Sequence, residues 1–356
     1  MIEDSTPPAE PVHCCLFRLS ALGDISHVIP VVRALRRTYP DWRLSWVIGA
    51  TYWPLVRDLD DIDWLVYDKH AGPRAFLHFV QRLRRQHFAL LLQMQTSLRA
   101  NVLAAAIRAE RRIGWDRRRS REGHALTINE RVQESPPQHQ VQGFLAFARH
   151  LGCATAEPQW DLPVSAAARR FAAEVLPGEQ PVLLISPCSS RPARDWPTMH
   201  YAAVARFAIE TLGLRVLVCG DRQPRARRAG AEIAAAHPAV IDLSGRDTLD
   251  TLLGLLARAA IVLGPDSGPL HLANALGKPV IGLYAATPSA RSGPYHSLDL
   301  CVDRYDQAAR RFLGRPATAL RWGRRLEFPG VMELITVDDV IARLRLAAGR
   351  LNRFSN

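Results

Sequence analysis

Two successive α/β domains, each built on a parallel sheet, are what this sequence predicts. Three observations lead there. Short apolar runs alternate with stretches of helical spacing along most of the chain, the pattern of repeated strand–helix–strand units. At 356 residues the chain exceeds one ordinary core, so two domains of about 150–180 residues are expected. Residues 177–181 (PGEQP) gather two prolines and a glycine, and the alternation then starts afresh. The expected division is 1–177, 178–335 and a closing segment, 336–356, of a kind that often crosses back onto the first domain.

Taken in order, residues 1–12 read as a flexible, acidic, proline-bearing tail. A strand at 13–19 ends at Ser20-Ala21-Leu22-Gly23-Asp24, and helical spacing follows over 25–39 with Arg33, Arg36 and Arg37 on one side. Pro40 and Asp41 break that helix before a strand at 43–48. A short apolar segment at 64–67, an amphipathic helix at 75–86, a strand at 88–93 and a helix at 97–109 continue the pattern. It closes on Arg112-Ile113-Gly114-Trp115. An arginine tract, a polar connection at 134–139 and helices at 141–151 and 164–176 lead to the linker.

The second domain opens with a strand at 182–186 and a loop at 187–197. Helices at 199–211, 225–236 and 249–259 alternate with strands at 215–219, 240–243 and 260–263. Gly264-Pro265 then turns the chain into a helix opening at Asp266-Ser267-Gly268. Proline at 269 suits a first helical turn, where its missing N–H costs little. Gly277-Lys278-Pro279 ends this helix before a strand at 280–284. Thr336 and Asp339 have the spacing of a capping box and start a final amphipathic helix.

Composition narrows the class. Hydrophobic residues make up 48% and charged residues 22%, the balance of a globular protein, which excludes a disordered or fibrous chain. No run approaches the roughly 18 apolar residues that span a bilayer. The acidic N-terminus lacks a signal peptide's basic and apolar regions, so a cytoplasmic location is expected. A formal charge of +12, nearly all arginine because Lys69 and Lys278 are the only lysines, points to acidic partners. An arginine-rich code reflecting GC-rich DNA accounts for it equally well. The six cysteines show no metal or disulfide spacing and are expected to be buried thiols.

In open parallel sheets ligands bind beyond the carboxyl ends of strands. The first domain offers Gly23-Asp24 and residues 93–96 there; the second offers Ser189, Ser190, Arg194, Gly220, Asp266, Ser267 and His271. Asp24 fits two roles, an N-cap for the following helix or a general base for an acceptor hydroxyl. The helix start at Asp266-Ser267-Gly268 either caps itself or seats a phosphate at its positive end. Arg194 fits a bidentate phosphate contact or an ordinary surface position. His271 fits a phosphate donor or a structural histidine. Arg117, Arg118, Arg119 and Arg121 fit an anionic acceptor or a solvated loop. Trp115, Trp196 and Trp322 are expected to pack.

These residues carry a resemblance. Ser20 to Asp24 with His27 and Pro30, Ser189-Ser190 through Arg194-Asp195-Trp196-Pro197, Asp266 to Ala273 and the stretch 284–295 together resemble the heptosyltransferase family, glycosyltransferase family 9. Residues 322–340 resemble its heptosyltransferase I-like branch. The resemblance implies a GT-B architecture, two Rossmann-like domains facing a central cleft, acceptor on the first and nucleotide sugar on the second. It implies inverting, metal-independent transfer of L-glycero-D-manno-heptose from ADP-heptose to Kdo of the lipopolysaccharide inner core, without a cofactor. The alternative is a GT-B glycosyltransferase using another nucleotide sugar or another acceptor, a second heptose or a protein.

On this resemblance Asp24 is the catalytic aspartate. Ser189, Ser190, Arg194, Asp266, Ser267, Gly268 and His271 bind the donor, and Arg194 stands where lysine is common. With Pro269 lacking its N–H, Gly268 and Leu270 are left as backbone donors to the diphosphate. Gly23 and the arginine tract would face a Kdo-containing lipid A acceptor, with peripheral attachment to the anionic inner face of the inner membrane. Two other classes fail on the residues. A dinucleotide oxidoreductase needs a G-x-G-x-x-G turn, which neither Gly23 nor Gly264–Gly268 provides, and no nucleic-acid-binding motif is present.

Overall fold

The computed structural model describes residues 11–353, with side chains described to residue 351; the expected tail lies almost wholly outside that range. The chain forms two compact units. One holds the residues up to Ser135 together with Val141–Gln159, the other Pro136–Gln140 and everything from Trp160 onward.

The first unit runs β1 (His13–Phe17), α1 (Leu22–Thr38), β2 (Arg43–Gly49), β3 (Ile62–Tyr67), α2 (Gly72–Arg84), β4 (His87–Gln93), α3 (Leu98–Ala105), β5 (Arg108–Gly114), β6 (Glu130–Arg131) and α4 (Gln140–His150). Its sheet is all parallel, in the order β3-β2-β1-β4-β5-β6. The near-continuous apolar character of β1 and β4 follows from burial on both faces, which parallel crossovers impose. In α2, Phe79 and Leu83 sit one turn apart and are its buried residues. That helix starts at Gly72, earlier than residue 75, because Pro73 is preorganised for a first turn.

The second unit runs α5 (Ala166–Val175), β7 (Val182–Ile185), α6 (Thr198–Glu210), β8 (Arg215–Val218), α7 (Pro224–Ala234), β9 (Ile241–Asp242), α8 (Leu249–Arg258), β10 (Ile261–Pro265), α9 (Gly268–Ala275), β11 (Val280–Tyr284), α10 (Ser289–Ser292), β12 (Val302–Asp303), α11 (Tyr305–Leu313) and α12 (Val337–Arg353). Its sheet has the order β12-β11-β10-β7-β8-β9, again all parallel. Counted from the central strand, both sheets follow one winding: two further strands on one side, then a return across the start. The expected α/β class with two Rossmann-like parallel sheets is borne out.

The compact units divide at 159/160 instead of 177/178. Helix α5 packs on α8 of the second unit. A side chain at Gly254 would lie 2.0 Å from the Ala168 carbonyl, so the two helix backbones meet where only glycine fits. The PGEQP stretch marks a loop inside this unit, not its border. In α12, Val340, Leu344 and Ala347 are buried in the second core. Thr336 and Asp339 make the reciprocal hydrogen bonds of the expected capping box, at 3.1 and 3.2 Å. Trp196 packs as expected, buried, with its indole N–H donating to the Ile335 carbonyl at 3.0 Å. The six cysteines are free thiols, all but Cys188 buried.

Candidate active site

In the first sheet the winding reverses between β1 and β4, and the loops leaving these strands meet there. Gln95, just beyond β4, ties them. Its side-chain carbonyl accepts from the Leu19 N–H at 2.8 Å, and its amide donates to Ser20 Oγ at 3.3 Å. Helix α1 then begins at Leu22, with Ala21 as N-cap, which places Asp24 in the first turn. Asp24 is therefore not the cap of this helix. Its carboxylate is bonded by the Arg18 guanidinium, which also donates to the Met94 carbonyl. Burial pushes the Arg18 pKa down, and the charge of Asp24 opposes that shift. The Asp24 side chain stays 28% exposed, so a solute can reach it. Gly23 is half-buried, and its carbonyl accepts from Ser26 Oγ at 2.7 Å.

The arginine tract leaves the end of β5 and does not behave as one patch. Arg119 lies over the Trp115 ring, 4.3 Å from its centroid, and pairs with the buried Asp116. Arg118 pairs with Glu134 at 3.4 Å. Arg117 and Arg121 are exposed. Only part of the tract is thus presented to solvent; Arg119 holds the loop to the sheet.

His124 anchors the far end of this loop. Its Nε2 accepts from the Trp115 N–H at 3.1 Å, which leaves Nδ1 as the protonated nitrogen, 3.2 Å from Asn101 Oδ1. A side chain at Gly114 would come within 2.5 Å of Nε2, so the close approach needs glycine. Burial and the nearby Arg131 lower the His124 pKa to about 4. Protonation would destroy the Trp115 bond. With the folded value below the unfolded one, the unfolded chain takes up the extra proton, and stability is lost as pH falls from about 6.5 to 4. The expected result is a melting temperature that drops across this window, with a smaller drop in His124→Asn; parallel pH profiles for the two proteins would refute the anchor.

In the second sheet the reversal lies between β7 and β10. After β7, the Ser189 N–H donates to Asp195 Oδ1 at 2.7 Å and its hydroxyl to the Arg191 carbonyl at 2.7 Å. Arg225 pairs with Asp195 and donates to the Ser189 carbonyl, so the loop is held from α7. Ser190 is exposed. After β10, Asp266 and Ser267 precede α9, whose N-cap Ser267 makes no side-chain capping bond and is buried. Gly268 and His271 are half-buried on its first turn.

Arg194 is where the structure departs most from the residues' promise. It is 8% exposed, not a surface arginine. Its Nε and Nη2 donate to Glu327 Oε1 at 3.0 and 2.8 Å, and Nη1 lies 3.5 Å from Asp266 Oδ2. The same Asp266 oxygen accepts from Thr287 Oγ1 at 2.8 Å and Ser292 Oγ at 3.3 Å, while His271 Nε2 stands 3.9 Å from the other oxygen. Two carboxylates thus share one buried guanidinium. Arg194, Asp266 and His271 are brought together as expected; Ser189 belongs to the neighbouring Asp195–Arg225 network. Glu327, Thr287, Ser292 and Arg225 were missed. Thr287 and Ser292 lie inside the 284–295 stretch already singled out, whereas nothing around Glu327 in sequence signals a partner for Arg194. Among the described residues no His, Cys, Asp and Glu cluster could hold a metal ion.

Residues 76–315 match the family model described as glycosyltransferase family 9 (heptosyltransferase). A lipopolysaccharide core heptosyltransferase, OpsX of Haemophilus influenzae, is 36% identical over 336 residues, 94% of this chain and 96% of the relative. The chain belongs to glycosyltransferase family 9. It is accordingly a glycosyltransferase, with both winding reversals furnished by residues of the family-like motifs. Solved folds agree. The family 9 glycosyltransferase of Veillonella parvula superposes with a TM-score of 0.78 at 17% identity, covering 95% of this chain and 97% of its own. Escherichia coli ADP-heptose lipopolysaccharide heptosyltransferase II gives 0.75 at 21% identity, covering 96% and 100%. The two-sheet composition of a GT-B enzyme is thus shared by this family 9 chain.

Proposed function

We propose that this family 9 enzyme transfers L-glycero-D-manno-heptose from ADP-heptose to Kdo of the lipopolysaccharide inner core, with inversion. Asp24 takes the proton from the acceptor hydroxyl as its oxygen bonds to the anomeric carbon. The carbon–oxygen bond to the diphosphate breaks, and its electron pair leaves with ADP. The observation that carries this reading is the placement of Asp24: reachable, in the first turn of α1, and paired with Arg18. Gly23 and the exposed Arg117 and Arg121 suit an anionic acceptor; Arg118 and Arg119 contribute through the loop they hold.

For the donor, Ser189, Ser190, Ser267, Gly268 and His271 line the carboxyl edge of β7 and β10, with the positive end of α9 suited to the diphosphate. Arg194 would bear the leaving charge once Glu327 yields it, with Asp266 keeping it in place. Support for the nucleotide comes from E. coli heptosyltransferase WaaC, a structure solved with ADP at a TM-score of 0.73 and 17% identity. Support for the acceptor class comes from the lipopolysaccharide core relative. A cytoplasmic enzyme attached peripherally to the anionic inner membrane face completes the proposal; among the described residues no helix is long and apolar enough to cross a membrane.

Ligand-induced stabilisation tests the donor. ADP at a hundred times its Kd should stabilise the native state by about 2.7 kcal/mol, raising the melting temperature, while UDP and GDP do so less. A larger shift with UDP would reassign the nucleotide.

A further inference from the structure

Of the four exposed large apolar side chains described in the first unit, Leu77 stands on α2, and the other three stand on α3 and on the loop that follows the arginine tract. Helix α3 buries Ala100, Asn101, Leu103 and Ala104, which leaves Leu98 and Val102, one turn apart, on the opposite stripe. They are 62% and 52% exposed. Leu126, at 90%, is the most exposed large apolar side chain described. The loop that carries Leu126 is tied to α3. The Leu98 N–H donates to Glu122 Oε2 at 2.6 Å, and the Asn101 amide donates to the Glu122 carbonyl at 2.7 Å, four residues before Leu126. Arg99, Arg117 and Arg121 are exposed on the same segments.

Exposed apolar side chains and arginines on the same two segments match the surface of an anionic bilayer. There the leucines enter the acyl boundary and the arginines meet phosphate headgroups. The lipid-linked acceptor of the reading above has to be met at such a surface, which favours a bilayer over an acidic protein. The position is also informative. Leu98 follows the carboxyl end of β4, beside the β1 end that carries Asp24, so this surface lies at the acceptor edge of the first sheet.

We propose that Leu98, Val102 and Leu126 insert into an anionic lipid surface, with Arg99, Arg117 and Arg121 on its headgroups. The proposal deepens the reading above, resting on it for the lipid-linked acceptor, and it identifies the face that seats the enzyme.

Flotation of the full chain with vesicles is the test. The protein should float with phosphatidylcholine vesicles containing phosphatidylglycerol and stay behind with phosphatidylcholine alone. The triple change Leu98→Ser, Val102→Ser and Leu126→Ser should cut partitioning on the order of 100-fold. Leu126→Ser alone, at a site with almost no protein contact, should cut it about tenfold with an unchanged melting temperature, which separates lost insertion from lost folding. No flotation of the parent protein on anionic vesicles overturns the proposal. So does a Leu126→Ser variant that floats like the parent, since charge alone would then suffice. Transfer to a water-soluble, delipidated acceptor should be equal in parent and Leu126→Ser. If flotation behaves as expected but ADP-heptose is never consumed, the assigned reaction fails and the membrane face stands.

Discussion

Asp24→Asn is expected to lower kcat by about three orders of magnitude, within the range for removal of a positioned general base. The amide keeps the size of the carboxylate and one acceptor for the Arg18 guanidinium, but it cannot take a proton. ADP binds the other unit in this reading, so the thermal shift it produces should be unchanged. Loss of turnover with an intact ADP shift is thus the signature. A variant with full activity would remove Asp24 from the mechanism. The local fold should tolerate the change, because Gln95, not Asp24, ties the β1 and β4 loops together.

The second large effect concerns Arg194→Ala. The substitution strands the Asp266 and Glu327 carboxylates in a mostly buried position without their shared cation. Breaking a buried pair from one side costs about 3 kcal/mol or more, because the remaining charges stay desolvated. In a unit of this size that corresponds to a fall in melting temperature of roughly 6–12 °C. Donor affinity should fall as well, since the diphosphate loses its guanidinium. The double variant Arg194→Ala, Glu327→Gln removes one stranded charge and should recover part of the stability but none of the donor affinity. Calorimetry of the two variants, with and without ADP, checks both parts. Additive losses would show that Glu327 and Arg194 are uncoupled. Arg194→Lys should hold an intermediate position, because an ammonium cannot reproduce the Nε and Nη2 fork on Glu327.

The two networks differ in what they ask of a ligand. Arg18 binds the Asp24 carboxylate and leaves part of it open to solvent. Arg194 is occupied by carboxylates on two sides, so under the proposed reading a diphosphate competes with Glu327 for it. Thr287 and Ser292 hold Asp266 in place meanwhile, and such hydrogen-bonded support keeps a charged side chain oriented as its partner changes.

The sequence by itself determined the α/β class, most strand and helix positions and the family, and it pointed to the strand ends where the candidate residues stand. It did so because parallel strands buried on both faces must be apolar throughout, and because ligand-facing residues cluster at strand ends. Of the three two-residue edge strands, β9 was legible inside the apolar run at 240–243, whereas β6 and β12 were not, since so short a segment carries no period of its own. Only the tertiary structure decided that Asp24 is no N-cap, since a cap is set by backbone dihedrals at Ala21 rather than by residue type. Only it grouped α5 with the second unit, where Gly254 of α8 lets the Ala168 backbone approach closely, whereas proline and glycine mark loops wherever they occur. The partners of Arg194 lie 72 and 133 residues away along the chain. Pairings that distant depend on how the sheet is wound, and no local pattern encodes them.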